Sequence, residues 1–140
     1  MQKWQTRGEV QTQHLFHGTS EKLLNIICRD NFNWRLSGKI TGSKFGKGIY
    51  LGTTAKYADS FAESDNLYRK IFLSRVLVGD FVQGDPSYNL PPPRDESDPF
   101  GNLYDACVNN ELNPCIFVIF DKSQIYPEYV ITYMRYDDIH

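Results

Sequence analysis

Two short segments decide the fold of this chain: LFHGTS at residues 15–20 and FGKGIY at residues 45–50. Each places a polar or aromatic side chain beside glycines, where the bare backbone allows a flat ligand to approach closely. A third segment, CIFVIF at residues 115–120, is a continuous apolar run typical of a buried β-strand. In this order, the three segments predict a β-rich domain with a glycine-framed ligand site.

Composition limits the class of protein. The chain has 140 residues, of which 41% are apolar and 14% aromatic, so residues 1–140 are expected to form a single globular domain. The formal net charge of −2 argues against a direct nucleic-acid or membrane partner. The three cysteines lack paired metal-ligand spacing, and their odd number disfavours a disulfide framework. We therefore expect an intracellular protein of the reducing cytoplasm or nucleus, without a metal.

Two short helices are predicted. Ser20 has the side chain of an N-cap, and the helical spacing of the apolar residues that follow predicts a helix to about Arg29. A second helix would be capped by Thr53 or Thr54. One face of that second helix carries three residues: Ala58, Phe61 and Ala62.

Strands outnumber helices in the predicted order of elements. They cover residues 14–19, 49–51, 70–82, 115–120 and 129–133, and the strand at 115–120 is expected to be buried on both faces. Residues 31–46 and 84–103 are rich in glycine or proline and are predicted to be loops. Many strands that cluster late in the chain favour an α+β domain with split, mostly antiparallel β-sheets and a few short helices.

His17 is the first candidate site residue. Residues three apart on a strand point to opposite faces, so His14 and His17 are not placed to share a metal. Judged alone, His17 is typical of a half-buried histidine that bonds to the backbone. The glycine that follows it, the start of a helix and the second glycine-bearing segment favour a ligand contact instead.

Tyr50 is the second candidate. The preceding Gly-Lys-Gly does not open a helix and lacks the following serine or threonine, so a phosphate-binding P-loop is excluded. Judged alone, Tyr50 is typical of a core aromatic residue. Phe61, eleven residues later, is expected to return to the same cleft, and two aromatic walls would suit a neutral aromatic amide such as nicotinamide.

The order of His17, Tyr50 and a third position in the strand at 115–120 resembles the His-Tyr-Glu motif of the poly(ADP-ribose) polymerase family, enzymes of the diphtheria-toxin-like ADP-ribosyltransferase fold. The resemblance runs from His14 to Tyr133 and is closest to the mono-ADP-ribosylating subgroup whose members often carry zinc-finger or WWE modules. The third motif position falls on Ile116. Four further segments carry the resemblance: NFNWR at 31–35, LVGD at 77–80, YDACV at 104–108 and IYPEY at 125–129.

The resemblance implies that NAD is the substrate. His17 would bond the ribose hydroxyls, and the Gly18 backbone would bind the nicotinamide carboxamide. Tyr50 and Phe61 would enclose the nicotinamide ring. On the adenosine and phosphate side, the resemblance places two residues, Thr19 and Arg35, and residues 36–45 would cover the cleft.

Ile116 narrows the implied reaction to protein mono-ADP-ribosylation. An isoleucine side chain neither accepts a hydrogen bond nor takes a proton, so it cannot activate the hydroxyl that a growing polymer would present. A single transfer to an acceptor protein, or to this protein itself, needs no such base if the acceptor is already a carboxylate or a thiolate.

Two departures from the family pattern support an alternative. Ala58 stands where the family usually has a serine that bonds the carboxamide, and the chain is expected to be short at its N-terminus. The alternative is a weak or inactive domain that serves as an NAD-binding, ADP-ribose-binding or protein-interaction module.

Other reactive side chains are weaker candidates. An acidic cluster at residues 95–98 is expected to be solvated surface, and Glu128 lies well past the catalytic position of the motif. A thiol nucleophile at Cys107 or Cys115 is disfavoured because no turn of the kind that binds an oxyanion accompanies either cysteine.

Overall fold

A computed structural model describes residues 11–32, 44–64 and 67–135 of the chain. In the described residues, two α-helices pack on a seven-stranded sheet, which confirms the α+β class. The strands are ordered β4-β5-β6-β2-β1-β3-β7, and every neighbouring pair is antiparallel except β4 with β5. The elements are β1 (Thr12–Gly18), α1 (Glu21–Asp30), β2 (Ile49–Gly52), α2 (Ala55–Asp59), β3 (Tyr68–Leu77), β4 (Phe81–Gln83), β5 (Ala106–Val108), β6 (Ile116–Ile119), a 3-10 turn (Lys122–Gln124) and β7 (Ile125–Met134).

The pairing between β1 and β2 is the shortest in the sheet, which continues through it over all seven strands. The registered pair at this junction is Phe16 with Gly52, whereas β1 and β3 pair along seven residues. Leu15 belongs to the main hydrophobic core and its neighbour Phe16 packs against a smaller one, because successive residues of a strand face opposite sides. The smaller core contains Ala58, Ala62 and Ile71.

Helix α1 begins as predicted. The Ser20 hydroxyl accepts a hydrogen bond from the Leu23 N–H at 3.3 Å, and Leu24 and Ile27 are buried on the core face. The helix ends at Asp30 and is capped by Asn31, whose φ of 66° is in the left-handed region that asparagine tolerates better than most residues. The Asn31 N–H donates to the Ile27 carbonyl at 2.8 Å, which satisfies one of the last carbonyls of the helix.

Helix α2 is shorter than predicted. It begins after Thr54, which caps it, and ends at Asp59, so Phe61 and Ala62 do not lie on its face. The hydroxyl of Ser60 donates to the Tyr57 carbonyl at 2.6 Å, and the Phe61 N–H bonds three residues back to Ala58 at 3.0 Å. These bonds tighten the chain into a turn, and the helix stops there.

The predicted strand at 70–82 is wrong as one element and divides into β3 and β4. Gly79 separates them with a φ of 50°, and a Cβ atom there would lie 2.1 Å from the Asp105 carboxylate. That carboxylate accepts from the Asp80 N–H at 2.8 Å and from Arg94, which also pairs with Asp80. The same ion pairs anchor the proline-rich loop that begins after β4, and Pro93 and Leu103 bridge across it.

Two other strand predictions need correction. β6 starts at Ile116 and not at Cys115, which is exposed. The Asn109 side-chain oxygen accepts hydrogen bonds from the N–H groups of Cys115 and Ile116, and the pairing with β5 ends there. Ile116 itself is half-buried, so the strand is not buried on both faces at this end. β7 is twice as long as predicted, with ten residues, because it pairs with β3 on both sides of a bulge.

Of the helices in the described ranges, neither is long or apolar enough to cross a membrane.

Candidate active site

His17 lies where β1 and β2 separate. Its Nδ1 atom is 2.6 Å from the backbone carbonyl oxygen of Tyr50. A carbonyl only accepts, so Nδ1 carries the proton, and in the neutral ring Nε2 keeps its lone pair. The ring also meets the edge of Phe32, with 4.9 Å between ring centroids.

Burial keeps His17 neutral. Desolvation lowers its pKa from 6.5 to about 4, although the bond to the Tyr50 carbonyl acts in the opposite direction. At neutral pH the imidazole is therefore uncharged and held in one tautomer. Such a ring accepts a hydrogen bond at Nε2, which suits a hydroxyl group of a ligand rather than an anion.

Tyr50 offers its ring and not its hydroxyl. The hydroxyl donates to the Gly46 carbonyl at 2.8 Å and accepts from the Phe45 N–H at 3.0 Å. Burial raises the pKa of the phenol, so the group is neutral. Gly46 is required in this turn because its φ is 126° and a Cβ atom would lie 2.7 Å from the Phe120 ring.

Ile116 shares a sheet face with Tyr50. Gly52 pairs with Ile116 and Tyr50 with Val118, and directly paired residues of an antiparallel ladder project to the same side. The backbone of Ile116 is held by Asn109, whose Oδ1 lies 3.0 Å from the Ile116 nitrogen. The structure therefore brings Tyr50 and Ile116 together, and the side chain at the third motif position is a hydrocarbon.

Tyr57 is a residue of the site that the sequence motifs did not indicate. A Cβ atom on Gly52 would lie 2.3 Å from the Tyr57 ring, so this ring rests directly on Gly52 beside Ile116. Burial raises the pKa of the Tyr57 phenol strongly, and the nearby Tyr50 phenol adds to the effect. The spacing of four residues between Tyr57 and Phe61 was the sequence signal for a contact between these two rings.

Phe61 packs against Tyr57. Their ring centroids are 5.1 Å apart at an angle of 63°. This is the ring contact that the structure describes for Phe61, and the expected enclosure of a ligand between Phe61 and Tyr50 stays a prediction.

Gly18 makes the closest approach in the site. A Cβ atom at Gly18 would lie 1.8 Å from the Ala58 carbonyl oxygen, so only glycine allows α2 to rest on the end of β1. Thr19 follows and is buried, and its carbonyl accepts from the Glu63 N–H at 3.4 Å. Arg35 and residues 36–43 of the predicted cover lie outside the described residues.

A match to a known protein family identifies the class of protein to which this site belongs. Residues 2–135 match the model of the poly(ADP-ribose) polymerase catalytic domain, which is nearly the whole chain. The chain belongs to this family. The resemblance seen in the sequence is thereby confirmed.

Three relatives in the poly(ADP-ribose) polymerase family are named for the same activity. The chain is 46% identical to protein mono-ADP-ribosyltransferase PARP12 of Mus musculus over 134 residues, which cover 95% of this chain and 18% of the relative. It is 41% identical to protein mono-ADP-ribosyltransferase PARP11 of Homo sapiens over 145 residues, covering 89% of this chain and 42% of the relative. With PARP14 of Homo sapiens, also named a protein mono-ADP-ribosyltransferase, identity is 36% over 134 residues, 94% of this chain and 7% of the relative. The chain thus spans less than half the length of these relatives.

Ala58 is the position at which we expect a departure from the family pattern. It is fully buried, its backbone carbonyl lies against Gly18, and its side chain carries no hydroxyl. Ser60 does not replace it, because the Ser60 hydroxyl is exposed and already donates to the Tyr57 carbonyl.

The carboxylate and thiol side chains that were weaker candidates in the sequence are paired, buried or bonded elsewhere. Glu128 pairs with His14 at 2.7 Å and with Arg75 at 3.3 Å. Burial raises the pKa of the Cys107 thiol to about 12, which makes it a poor nucleophile. Cys115 is exposed and accepts from Asn109 at 3.2 Å.

The acidic cluster at residues 95–98 lies at the surface, as predicted. The acidic residues of the 95–98 cluster are exposed, and Asp95 bonds within its own turn to Ser97. Within the described ranges of the chain, no group of three or more His, Cys, Asp or Glu side chains could hold a metal ion.

Proposed function

We propose that this domain is an NAD-dependent protein mono-ADP-ribosyltransferase that moves one ADP-ribose to a protein side chain and releases nicotinamide. The observation that carries the proposal is the neutral His17, anchored on the Tyr50 carbonyl beside a sheet face that ends in Ile116. His17 supplies a hydrogen-bond acceptor and Tyr50 supplies an aromatic ring, and both suit the binding of NAD. Ile116 supplies only a hydrocarbon, so the site has no base there for chain elongation.

The proposed roles combine the family resemblance with the environments of His17 and Tyr50. His17 Nε2 accepts a hydrogen bond from a ribose hydroxyl, and the backbone of Gly18 binds the carboxamide of nicotinamide. Tyr50 presents its ring to the nicotinamide, and Phe61 closes the other side. For Thr19 and Arg35, the family resemblance implies roles on the adenosine and phosphate side.

The reaction needs one bond to break and one to form. Nicotinamide leaves with the electron pair of its bond to the ribose, and the acceptor side chain then supplies the pair that forms the new bond to the same carbon. Near Tyr50, Ile116 offers no proton acceptor, so the acceptor must arrive already nucleophilic, as a carboxylate or a thiolate does. Positioning and stacking are then the main sources of rate enhancement.

The test is incubation with labelled NAD, followed by gel separation and intact-mass analysis. We expect adducts of one ADP-ribose per site, on this protein or on an added acceptor protein. His17→Ala should abolish the label, because the acceptor nitrogen is lost. Long ladders of product would contradict the assigned role of Ile116.

The alternative function, a non-catalytic binding module, is favoured by Ala58. A buried amide that loses one hydrogen bond costs roughly 1–3 kcal/mol, which corresponds to about ten- to a hundredfold weaker binding. Thermal unfolding in the presence of NAD or benzamide, a nicotinamide analogue, separates the two functions. No shift at millimolar ligand would rule out the enzyme and leave a protein-interaction module.

A further inference from the structure

Three polar residues at one end of the β3–β7 ladder reach over to the turn that follows α2. Arg69 and Tyr133 are directly paired, and Arg135 follows two residues after Tyr133. We call these three residues the ladder-end clamp. The turn that they reach spans residues 59–62 and contains Phe61.

The ladder-end clamp bonds both ends of this turn. The Tyr133 hydroxyl donates to the Asp59 carboxylate, and Arg135 Nε donates to the same oxygen at 2.9 Å. Arg135 Nη2 also donates to the backbone carbonyl of Asp59 at 2.7 Å. At the other end, Arg69 Nη1 donates to the Ala62 carbonyl at 2.7 Å.

The charges around Asp59 favour this contact. Burial opposes ionisation of the carboxyl, but the hydrogen bonds from Tyr133 and Arg135, with the positive charges of Arg135 and Arg69, outweigh it and hold the pKa of Asp59 below its usual value. Asp59 is therefore a carboxylate at neutral pH, and its bonds to Arg135 are charge-assisted.

The turn depends on such external support. Helix α2 has five residues, too few to be stable alone. The buried side chains that the helix and the following turn add to the smaller core, Ala58 and Ala62, are small. Apolar contacts with Ile71 and Ile131 hold the inner side, and the clamp holds the outer side. Between the bonded ends, Phe61 contacts Tyr57 at the candidate site.

We propose that Arg135, Tyr133 and Arg69 are positioning residues for the nicotinamide end of the cleft. They act through the 59–62 turn, which places Phe61 beside Tyr57 and the Ala58 carbonyl against Gly18. The inference rests on the proposed function for the identity of the ligand, whereas the clamp itself rests on the four hydrogen bonds. Because the clamp shapes a binding wall and does not touch the reacting carbon, its loss weakens binding of the nicotinamide end and leaves the turnover number little changed.

The experiment compares three variants with a matched control. Arg135→Ala removes the double contact to Asp59, Arg135→Lys keeps the charge with a single nitrogen, and Tyr133→Phe removes one hydroxyl. The control is Arg75→Ala, which breaks the 3.3 Å pair with Glu128 on the same two strands, away from α2. Each protein is assayed for benzamide affinity, for KM and kcat with NAD, and for hydrogen exchange.

The exchange readout uses the turn amides directly. The N–H groups of residues 60, 61 and 62 bond to carbonyls of residues 56–59, so their exchange reports opening of the turn. For Arg135→Ala we expect roughly fivefold or greater acceleration at these amides and roughly tenfold weaker benzamide binding. Arg135→Lys and Tyr133→Phe should fall between this variant and the parent, with KM for NAD raised and kcat within about twofold.

The outcomes separate the clamp from the proposed function. Unchanged exchange in all three variants would overturn the clamp. Accelerated exchange with unchanged benzamide affinity would overturn its role in positioning the ligand. If the parent protein binds neither NAD nor benzamide, the proposed function fails, while the exchange data still decide whether the clamp holds the turn. If Arg135→Ala fails to fold, Tyr133→Phe and Arg135→Lys carry the test.

Discussion

The Nδ1 atom of His17 bonds the backbone carbonyl of Tyr50 at the point where β1 and β2 separate. The imidazole thereby joins β1 to β2 next to their registered backbone pair, which is Phe16 with Gly52. This single contact sets the tautomer of the histidine and holds the imidazole of His17 and the backbone of Tyr50 at one junction of the sheet.

Nuclear magnetic resonance should detect one His17 tautomer at pH 7, with Nδ1 protonated and Nε2 unprotonated. The reason is that the carbonyl of Tyr50 can only accept. Nitrogen-15 chemical shifts of the ring measure this directly. A protonated Nε2 at pH 7 would contradict the assignment.

The lowered pKa of His17 also predicts acid sensitivity. Its pKa falls from 6.5 to about 4 on folding, so between these values the unfolded chain binds a proton that the folded protein does not. The free energy of unfolding therefore falls as the pH drops from about 6.5 to about 4. Above about pH 6.5 the histidine is neutral in both states and causes no loss of stability. Urea unfolding across this pH range should show a smaller decline for His17→Gln, and an equal decline in both proteins would argue against the lowered pKa.

Replacing Ala58 with serine should strengthen NAD binding. The new hydroxyl would stand on the residue whose backbone lies against Gly18, where the carboxamide is proposed to bind, and one hydrogen bond to a buried amide is worth roughly 1–3 kcal/mol. We expect the Kd for NAD from calorimetry to fall by about tenfold or more. Ala55→Ser, at the exposed start of the same helix, is the control and should leave the Kd unchanged. Equal values for Ala58→Ser and the parent protein would remove Ala58 as the cause of weak binding.

Gly18→Ala should destabilise the fold. The added methyl would lie 1.8 Å from the Ala58 carbonyl oxygen, a backbone atom that cannot move without shifting α2. We expect a loss of roughly 1–3 kcal/mol in the free energy of unfolding, measured by urea denaturation. Gly101→Ala is the matched control, because the nearest atom there is the Asp98 side-chain oxygen at 2.6 Å, which can rotate away. Similar losses in both variants would mean that α2 is free to shift.

Ile116→Glu should not convert this domain into a polymerase. The carboxylate would enter a half-buried position beside Gly52, but acceptor binding also depends on the surrounding loops. With labelled NAD, we expect single adducts from both Ile116→Glu and its uncharged control Ile116→Gln. A product ladder from the glutamate variant alone would show that residue 116 is sufficient to determine product length.

Local signals in the sequence predicted the elements that depend on near neighbours. Helix α1 follows from Ser20 and the apolar spacing after it, and both are present in the folded structure. The break between β3 and β4 was missed because its cause, the Asp105 carboxylate packed on Gly79, lies 26 residues further along the chain. The length of β7 was missed for a similar reason, since it follows from pairing with β3 across a bulge.

The sequence by itself determined the family and the chemistry of the third motif position. The identities of His17, Tyr50 and Ile116 are covalent facts, and no folding can give an isoleucine a proton-accepting group. The tertiary structure alone decided the protonation of His17 and the support of the 59–62 turn. Desolvation depends on which side chains surround a group, and the Arg135–Asp59 contact joins residues 76 positions apart, so neither is written in local sequence.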